Sequence, residues 1–440
     1  MDICFVANYT KTFFQNALAI ELKKSGYNIF WIVVNINNYE FLRNNYEEKN
    51  ILYLPKDEVF SSNNSSIFDF KLNELIYGDR VMKYDYDSAL EYLTKIQKSV
   101  FNFISINSIS FVFGETTWAH EILISRIIIH FKSLNSVYLN PHTIRIPSNR
   151  FAFFTSEFQD NFLLLEPDYV NKSLPVDSFK LIKPDYLLIN DNKIKASISF
   201  NGRLKRLKSF ITSNNLDIND PTLLKPKSKY NIVLPIKNEI NKELYKRVKT
   251  IGLDFLADRK FLLVTLHKQP EASIDVIGRY VEDQTQNILN LWRMLPEGWL
   301  LVVKEHSNAI GDRSLSWYNN LIKYNNIFFA NEKLDSYDLI DLCQAVYTVS
   351  GTIAYEAALK NKSALVSTNT FFNFPYVKKV TTDTFLKSKN LIEILDEIPD
   401  ENINISNIKK KIYFNSFKGI ISDPLNNPLC MEKSNINIVV

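Results

Sequence analysis

What constrains this chain most is a repeated alternation of short apolar runs with helical segments, each pair separated by a polar turn. Residues 3–6 form an apolar strand, followed by the loop Asn8-Tyr9-Thr10-Lys11 and a helix through Lys24. Gly26 stops that helix, and the next strand is expected over 28–34. Leu90, Leu93, Val100 and Ile104 recur at helical spacing, so an amphipathic helix is expected over 88–105. A buried strand over 109–113 then ends at Gly114-Glu115, with a helix over 118–131 and a strand over 136–139. Strands that are apolar throughout need cover on both faces, and repeated strand–helix units supply it. The fold class this implies is α/β, with a mostly parallel sheet between helical layers.

The alternation returns in the second half. Strands are expected over 261–266, 299–304, 327–330, 346–349 and 364–367, with helices around Ile288–Leu291–Leu295 and over 336–345 and 353–360. Residues 150–213 read as mostly helical. The stretch 214–229 contains Asp220-Pro221 and Lys225-Pro226 among polar residues, and each proline disfavours helix at the residue before it, so it reads as the linker. A chain of 440 residues is long for one core and suits two domains of roughly 200 residues each. The expected division is 1–225, 226–400, and a polar tail over 401–440 that packs back on the first domain.

The chain is 46% hydrophobic and 23% charged, which places it among globular proteins. A net charge of +4 makes no case for nucleic acid as a partner, since no basic stripe stands out. Cys4, Cys343 and Cys430 are far apart and match neither a disulfide framework nor a metal-ligand spacing, which points to a reducing compartment. The N-terminal residues lack the features of a signal peptide, and no uncharged apolar stretch reaches the roughly 20 residues that span a bilayer. The expected location is cytoplasmic, with peripheral association at the inner face of the cytoplasmic membrane left open. Among ten glycines no two form a GxG, which excludes the dinucleotide fingerprint and the Walker phosphate loop.

In open parallel sheets ligands sit at the carboxyl ends of the strands, so polar residues there come first. Ser350-Gly351-Thr352 lies between a strand and a helix, where backbone N–H groups, two hydroxyls and a helix amino end could cradle a phosphate. Glu356 follows within reach of a ribose. Alternatively Thr352 is a plain N-cap and Glu356 an acid that suits the helix dipole. Lys304 and His306 end another strand, as phosphate-neutralising groups or as a solvated ion pair. His267, Gln269 and Glu271 end a third, as ligand contacts or as a turn started by Pro270. In the first half, Glu115 is a candidate general base at a strand end or a helix-start acid. His142 and Arg145 lie at the same edge, where Arg145 could grip an anion. Asp85-Tyr86-Asp87 imitates a metal-binding pair but stands before a helix and reads as an N-cap. His120 and His130 read as ordinary helix residues, and no metal site emerges.

Three motifs carry a resemblance. Leu266-His267-Lys268-Gln269-Pro270-Glu271-Ala272-Ser273, Val303-Lys304-Glu305-His306, and Ser350-Gly351-Thr352 with Glu356-Ala357 resemble the capsule polysaccharide biosynthesis family, which includes bacterial Kdo transferases. The likeness spans residues 260–375, and loosely Gly114-Glu115 and 141–150. The family's proline after the histidine is Ser307 here. The resemblance implies a GT-B fold, two Rossmann-like α/β domains with the donor in the C-terminal one and the acceptor in the N-terminal one. It gives His306, Ser350, Gly351 and Thr352 to the donor phosphate and Glu356 to its ribose. It favours a CMP-linked Kdo or sialic-acid-like nonulosonate as donor, a co-substrate rather than a cofactor, and a capsule or lipopolysaccharide glycan or glycolipid as acceptor. The implied activity is a metal-independent glycosyltransferase, with Glu115 and His306 as catalytic candidates. A CDP-glycerol or polyol-phosphate transferase, a non-catalytic glycan-assembly partner and a sugar-nucleotide epimerase are the alternatives.

Overall fold

A computed structural model describes residues 1–57, 67–181, 217–224, 229–396 and 404–440. Its strands are β1 (Asp2–Val6), β2 (Asn28–Val33), β3 (Ile51–Tyr53), β4 (Phe111–Phe113), β5 (Val137–Ile144) and β6 (Arg150–Phe154), then β7 (Thr250–Ile251), β8 (Phe261–Thr265), β9 (Leu300–Lys304), β10 (Ile327–Ala330), β11 (Ala345–Thr348), β12 (Ser363–Val366), β13 (Val377–Lys379) and β14 (Phe417–Lys418). They form two seven-stranded sheets, ordered β14-β6-β5-β4-β1-β2-β3 and β13-β12-β11-β8-β9-β10-β7. The chain therefore contains the two Rossmann-like α/β units expected of a GT-B protein.

The second sheet is parallel throughout. Consecutive β8 residues Leu262 and Leu263 are both fully buried, as are Leu301 and Val302 of β9, so cover lies on both faces. The first sheet is parallel from β3 to β5; at its edge β6 pairs antiparallel with β5, and β14 antiparallel with β6. In each sheet the chain builds outward on one side of a central strand and then crosses to the other. That reversal falls between β1 and β4 in the first sheet and between β8 and β11 in the second. It opens a crevice at the carboxyl ends of those two strands.

The compact units do not follow one cut in the sequence. One comprises Met1–Pro167, the described residues between 180 and 228, and Tyr413–Val440; the other comprises Asp168–Phe179 and the described part of Lys229–Ile412. One expectation needs correction. The described part of 150–213 is not mostly helical: it holds β6 and a short 3-10 turn at Pro167–Asn171, and 182–213 lie outside the described residues. Within the expected linker, residues 217–224 pack on the first unit. Asp220 accepts from Asn35 Nδ2 at 2.6 Å, and the Tyr9 and Thr222 hydroxyls share a hydrogen bond. The remainder of that stretch, apart from Lys229, lies outside the described residues. Among the described residues no helix is long and apolar enough to cross a membrane.

Candidate functional site

In the second unit β11, β8 and β9 are neighbours, so the loops after them leave the sheet at one edge. His267, just past β8, is nearly buried, and its Nε2 lies 3.0 Å from Thr348 Oγ1 and accepts the Ser350 N–H at 3.4 Å. Thr348 Oγ1 in turn accepts the Gly351 N–H at 3.2 Å. These bonds fix the tautomer: Thr348 donates its hydroxyl hydrogen to Nε2, and the ring proton sits on Nδ1. Burial, with help from His306 and Arg313, pushes the His267 pKa down to about 4, so the ring is neutral. The Ser350 hydroxyl donates to the Ser273 carbonyl at 2.5 Å. The 350–352 loop is thus tied down from beneath, and the N–H groups of Ser350 and Gly351 serve its own shape rather than pointing unmet at a ligand. Glycine is required at 351, because a Cβ there would lie 2.6 Å from Thr348 Oγ1.

His306 stands on the adjacent loop. Its Nδ1 accepts the Asn308 N–H at 3.2 Å, which leaves the proton on Nε2. Burial lowers its pKa; Glu271 opposes the shift, and Lys268, Arg313 and Lys304 reinforce it. His306 is therefore a neutral hydrogen-bond donor, while positive charge comes from Lys268 and Lys304 nearby. Lys304 Nζ also donates to the Leu334 carbonyl at 2.9 Å. The Glu271 N–H and the Gln269 side chain both donate to Asp275, at 2.7 and 3.3 Å. Glu356 is buried in the helix Ile353–Leu359 that follows the loop.

The residue that organises this edge was not singled out in the sequence. Arg313 pairs with the buried Glu305 at 2.7 Å and donates to the His267 carbonyl at 3.0 Å. Glu305 also accepts from the Tyr318 hydroxyl at 2.7 Å and the His306 N–H at 2.9 Å. Gln284 clasps His267 through both its N–H and its carbonyl. One buried carboxylate thereby holds the loops after β8 and β9 together. Arg313 lies in an irregular stretch, where no periodicity could have marked it.

The first unit has its own pocket of about 450 Å³ at the reversal between β1 and β4. Glu115 lines it, paired with Lys11 and accepting from Asn8 Nδ2 at 2.9 Å. Burial would raise the Glu115 pKa, but Lys11, with His142 and Arg80, holds it below the usual carboxylate value. Arg80 lies over the Trp118 ring at 5.4 Å, and Asp423 accepts from the Thr10 hydroxyl at 2.6 Å on another wall. His142 also lines the pocket but lies within β5, which runs on to Ile144 and pairs with β6; Arg145, just beyond, is not a lining residue. Lys11, Asn8 and Arg80 escaped sequence reasoning because residues about 100 and 35 positions from Glu115 meet it only in the fold.

No protein-family model and no curated protein matches the chain. Solved structures do resemble it. A β-Kdo 2,7-transferase, KpsC of Thermosulfurimonas dismutans, is 11% identical, with 73% of this chain and 82% of that chain covered and a TM-score of 0.38. A UDP-GlcNAc 2-epimerase of Neisseria meningitidis bound to UDP-GlcNAc is 15% identical over 94% of this chain and 99% of its own, at a TM-score of 0.25. Anabaena Alr3699/HepE in complex with UDP-glucose is 10% identical over 100% of this chain and 94% of its own, also at 0.25.

Proposed function

We propose that this chain is a nucleotide-sugar-dependent glycosyltransferase that transfers a sugar to a hydroxyl of a bacterial surface glycan. The observation that supports this reading best is the convergence of the 350–352 loop, His306 and Lys304 at the carboxyl edge of one parallel sheet, beside its point of reversal. In this arrangement the loop shapes the site, the His306 Nε2–H is the donor, and Lys304 and Lys268 supply positive charge for a diphosphate or phosphate leaving group. The donor is a CMP-linked Kdo or nonulosonate, a choice that rests on the sequence resemblance alone. The acceptor occupies the first-unit pocket, near His142 and, beyond the strand end, Arg145.

In the reaction the acceptor oxygen bonds to the anomeric carbon as the bond from that carbon to the phosphate oxygen breaks. The departing nucleotide takes that electron pair, and the hydroxyl proton passes to Glu115. Lys11 and Asn8 keep Glu115 ionised and oriented for that task. His306 donates from Nε2 to the leaving group, while His267 shapes the loop from behind.

The test begins with thermal shifts on CMP, CDP, UDP, GDP and dTDP. A cytidine nucleotide should raise the melting temperature of the wild-type chain and have little effect on His306→Ala. If no nucleotide shifts the wild-type protein, a non-catalytic assembly role replaces this reading. Incubation with CMP-Kdo, CMP-nonulosonate or CDP-glycerol then separates sugar transfer from polyol-phosphate transfer. Glu115→Ala should lose turnover and keep the nucleotide shift.

A further inference from the structure

Beside the first-unit pocket, two carboxylates of unequal burial are joined by a single amide. Asn8, just beyond β1, donates from Nδ2 to Glu115 Oε2 at 2.9 Å and to Glu121 Oε1 at 3.1 Å. An amide nitrogen carries two hydrogens, so both bonds form together, and the opposite flip would set an oxygen against two acceptors. Glu115 is the member facing the pocket, a quarter exposed. Glu121 is fully buried behind it, on the helix Ala119–His130. Its Oε2 accepts from the N–H groups of Thr117 and Trp118 and from the Thr117 hydroxyl, at 2.9 to 3.1 Å.

We propose that Asn8 is a positioning residue that ties Glu115 to Glu121, so that the two acids ionise as one unit with Glu115 always the anion. This rests on the reading of Glu115 as the acceptor base. The groups around the pair assign the roles. Lys11 comes from the helix after β1, His142 and the Tyr138 hydroxyl from β5, and Arg80 from the segment before 86–106. Asp423, from the C-terminal segment, is the other acid on the pocket wall. The cations lie on the Glu115 side. Glu121 meets backbone and hydroxyl donors but no cation within ion-pair distance among the described residues. Its pKa is pushed up to about 7, by burial first and by the charge on Glu115 second, against the opposing pull of the Thr117 and Trp118 donors. Near neutrality Glu121 therefore holds a proton much of the time, and Glu115 stays charged with its Oε2 pinned by Asn8.

The test is a titration of the full chain labelled with ¹³C at the glutamate side-chain carboxyls, with the two resonances assigned by Glu115→Gln and Glu121→Gln. In the wild-type protein one should titrate near neutrality and the other below the ordinary range. Glu115→Gln should lower the Glu121 midpoint, because the neighbouring charge is gone. Asn8→Ala should raise both midpoints, because each carboxylate loses a donor. If Asn8→Ala does not fold, Asn8→Leu removes the donor at similar volume without adding a charge, and Glu115→Gln alone still tests the coupling. Midpoints unmoved by Glu115→Gln, or by loss of the Asn8 donor in a folded variant, would overturn the proposal. None of these readings needs a nucleotide or an acceptor. Failure of the nucleotide panel with the midpoints as expected removes the transferase reading and leaves the acid pair, whereas static midpoints beside an inactive Glu115→Ala remove the pair alone.

Discussion

His120 is a histidine that the fold keeps neutral. It is buried on the helix Ala119–His130, and neither ring nitrogen has a hydrogen-bond partner among the described residues. Burial pushes its pKa down to about 3, whereas an unfolded imidazole titrates near 6.5. Between those values the unfolded chain binds a proton that the folded one does not, so stability falls as pH is lowered through that window. Glu121 next to it acts with the opposite sign. Its folded pKa of about 7 lies above the ordinary value, so its contribution is present at low pH and is lost as pH rises through 7. Replacing His120 with Leu removes the first effect alone. The melting temperature should rise, and by more at pH 5.5 than at pH 8; an equal gain at both would mean that the imidazole is not excluded from protonation. Gly114 makes a steric case. A Cβ there would collide with the Tyr138 hydroxyl and lie 3.1 Å from Val6 Cβ. Gly114→Ala should cost about 1–3 kcal/mol in urea denaturation through overpacking, and displace the Tyr138 bond to the Glu115 carbonyl.

At the scale of elements, the turn from β11 into the helix Ile353–Leu359 depends on Thr348. Its hydroxyl accepts the Gly351 N–H and donates to His267, so one buried atom supports both the loop and the ring behind it. Thr348→Val keeps the shape but strands that N–H, at a cost of about 1–3 kcal/mol. Urea denaturation should show that loss, and the cytidine-nucleotide thermal shift should shrink with it. An unchanged nucleotide shift on a destabilised protein would mean that the loop's shape does not govern binding.

Over the whole molecule, the C-terminal segment is a structural part of the first unit. β14 pairs with β6, and Ile421, Cys430 and Ile436 pack with Phe14 and Phe151 in one apolar cluster. Asn415, fully buried, accepts the N–H groups of Leu165 and Glu166, both at 2.8 Å. A chain ending at Ile412 should lose hydrogen-exchange protection in β1, β4 and β5 while keeping it in β8, β9 and β11. Equal loss in both sets would mean that the two units unfold as one.

Apolar periodicity was enough to establish the α/β class and most of the central strands. β1, β2, β8, β9, β10, β11 and β12 all lie within a residue or so of their expected bounds, because a strand buried on both faces must be apolar at every position. The same logic marks Glu115, Lys304, His306 and Ser350, polar residues placed where such runs end. Short edge strands leave no comparable trace. β3, β7, β13 and β14 have two or three residues each, and β6 falls in a stretch whose sequence reads as helix. The pairings of Asn8 with two glutamates and of Arg313 with Glu305 join residues whose chemistry is set by burial and by neighbours distant in sequence. Tertiary structure alone brought them together, since a carboxylate becomes a buried acid or half of a partly buried ion pair only once its surroundings exclude water.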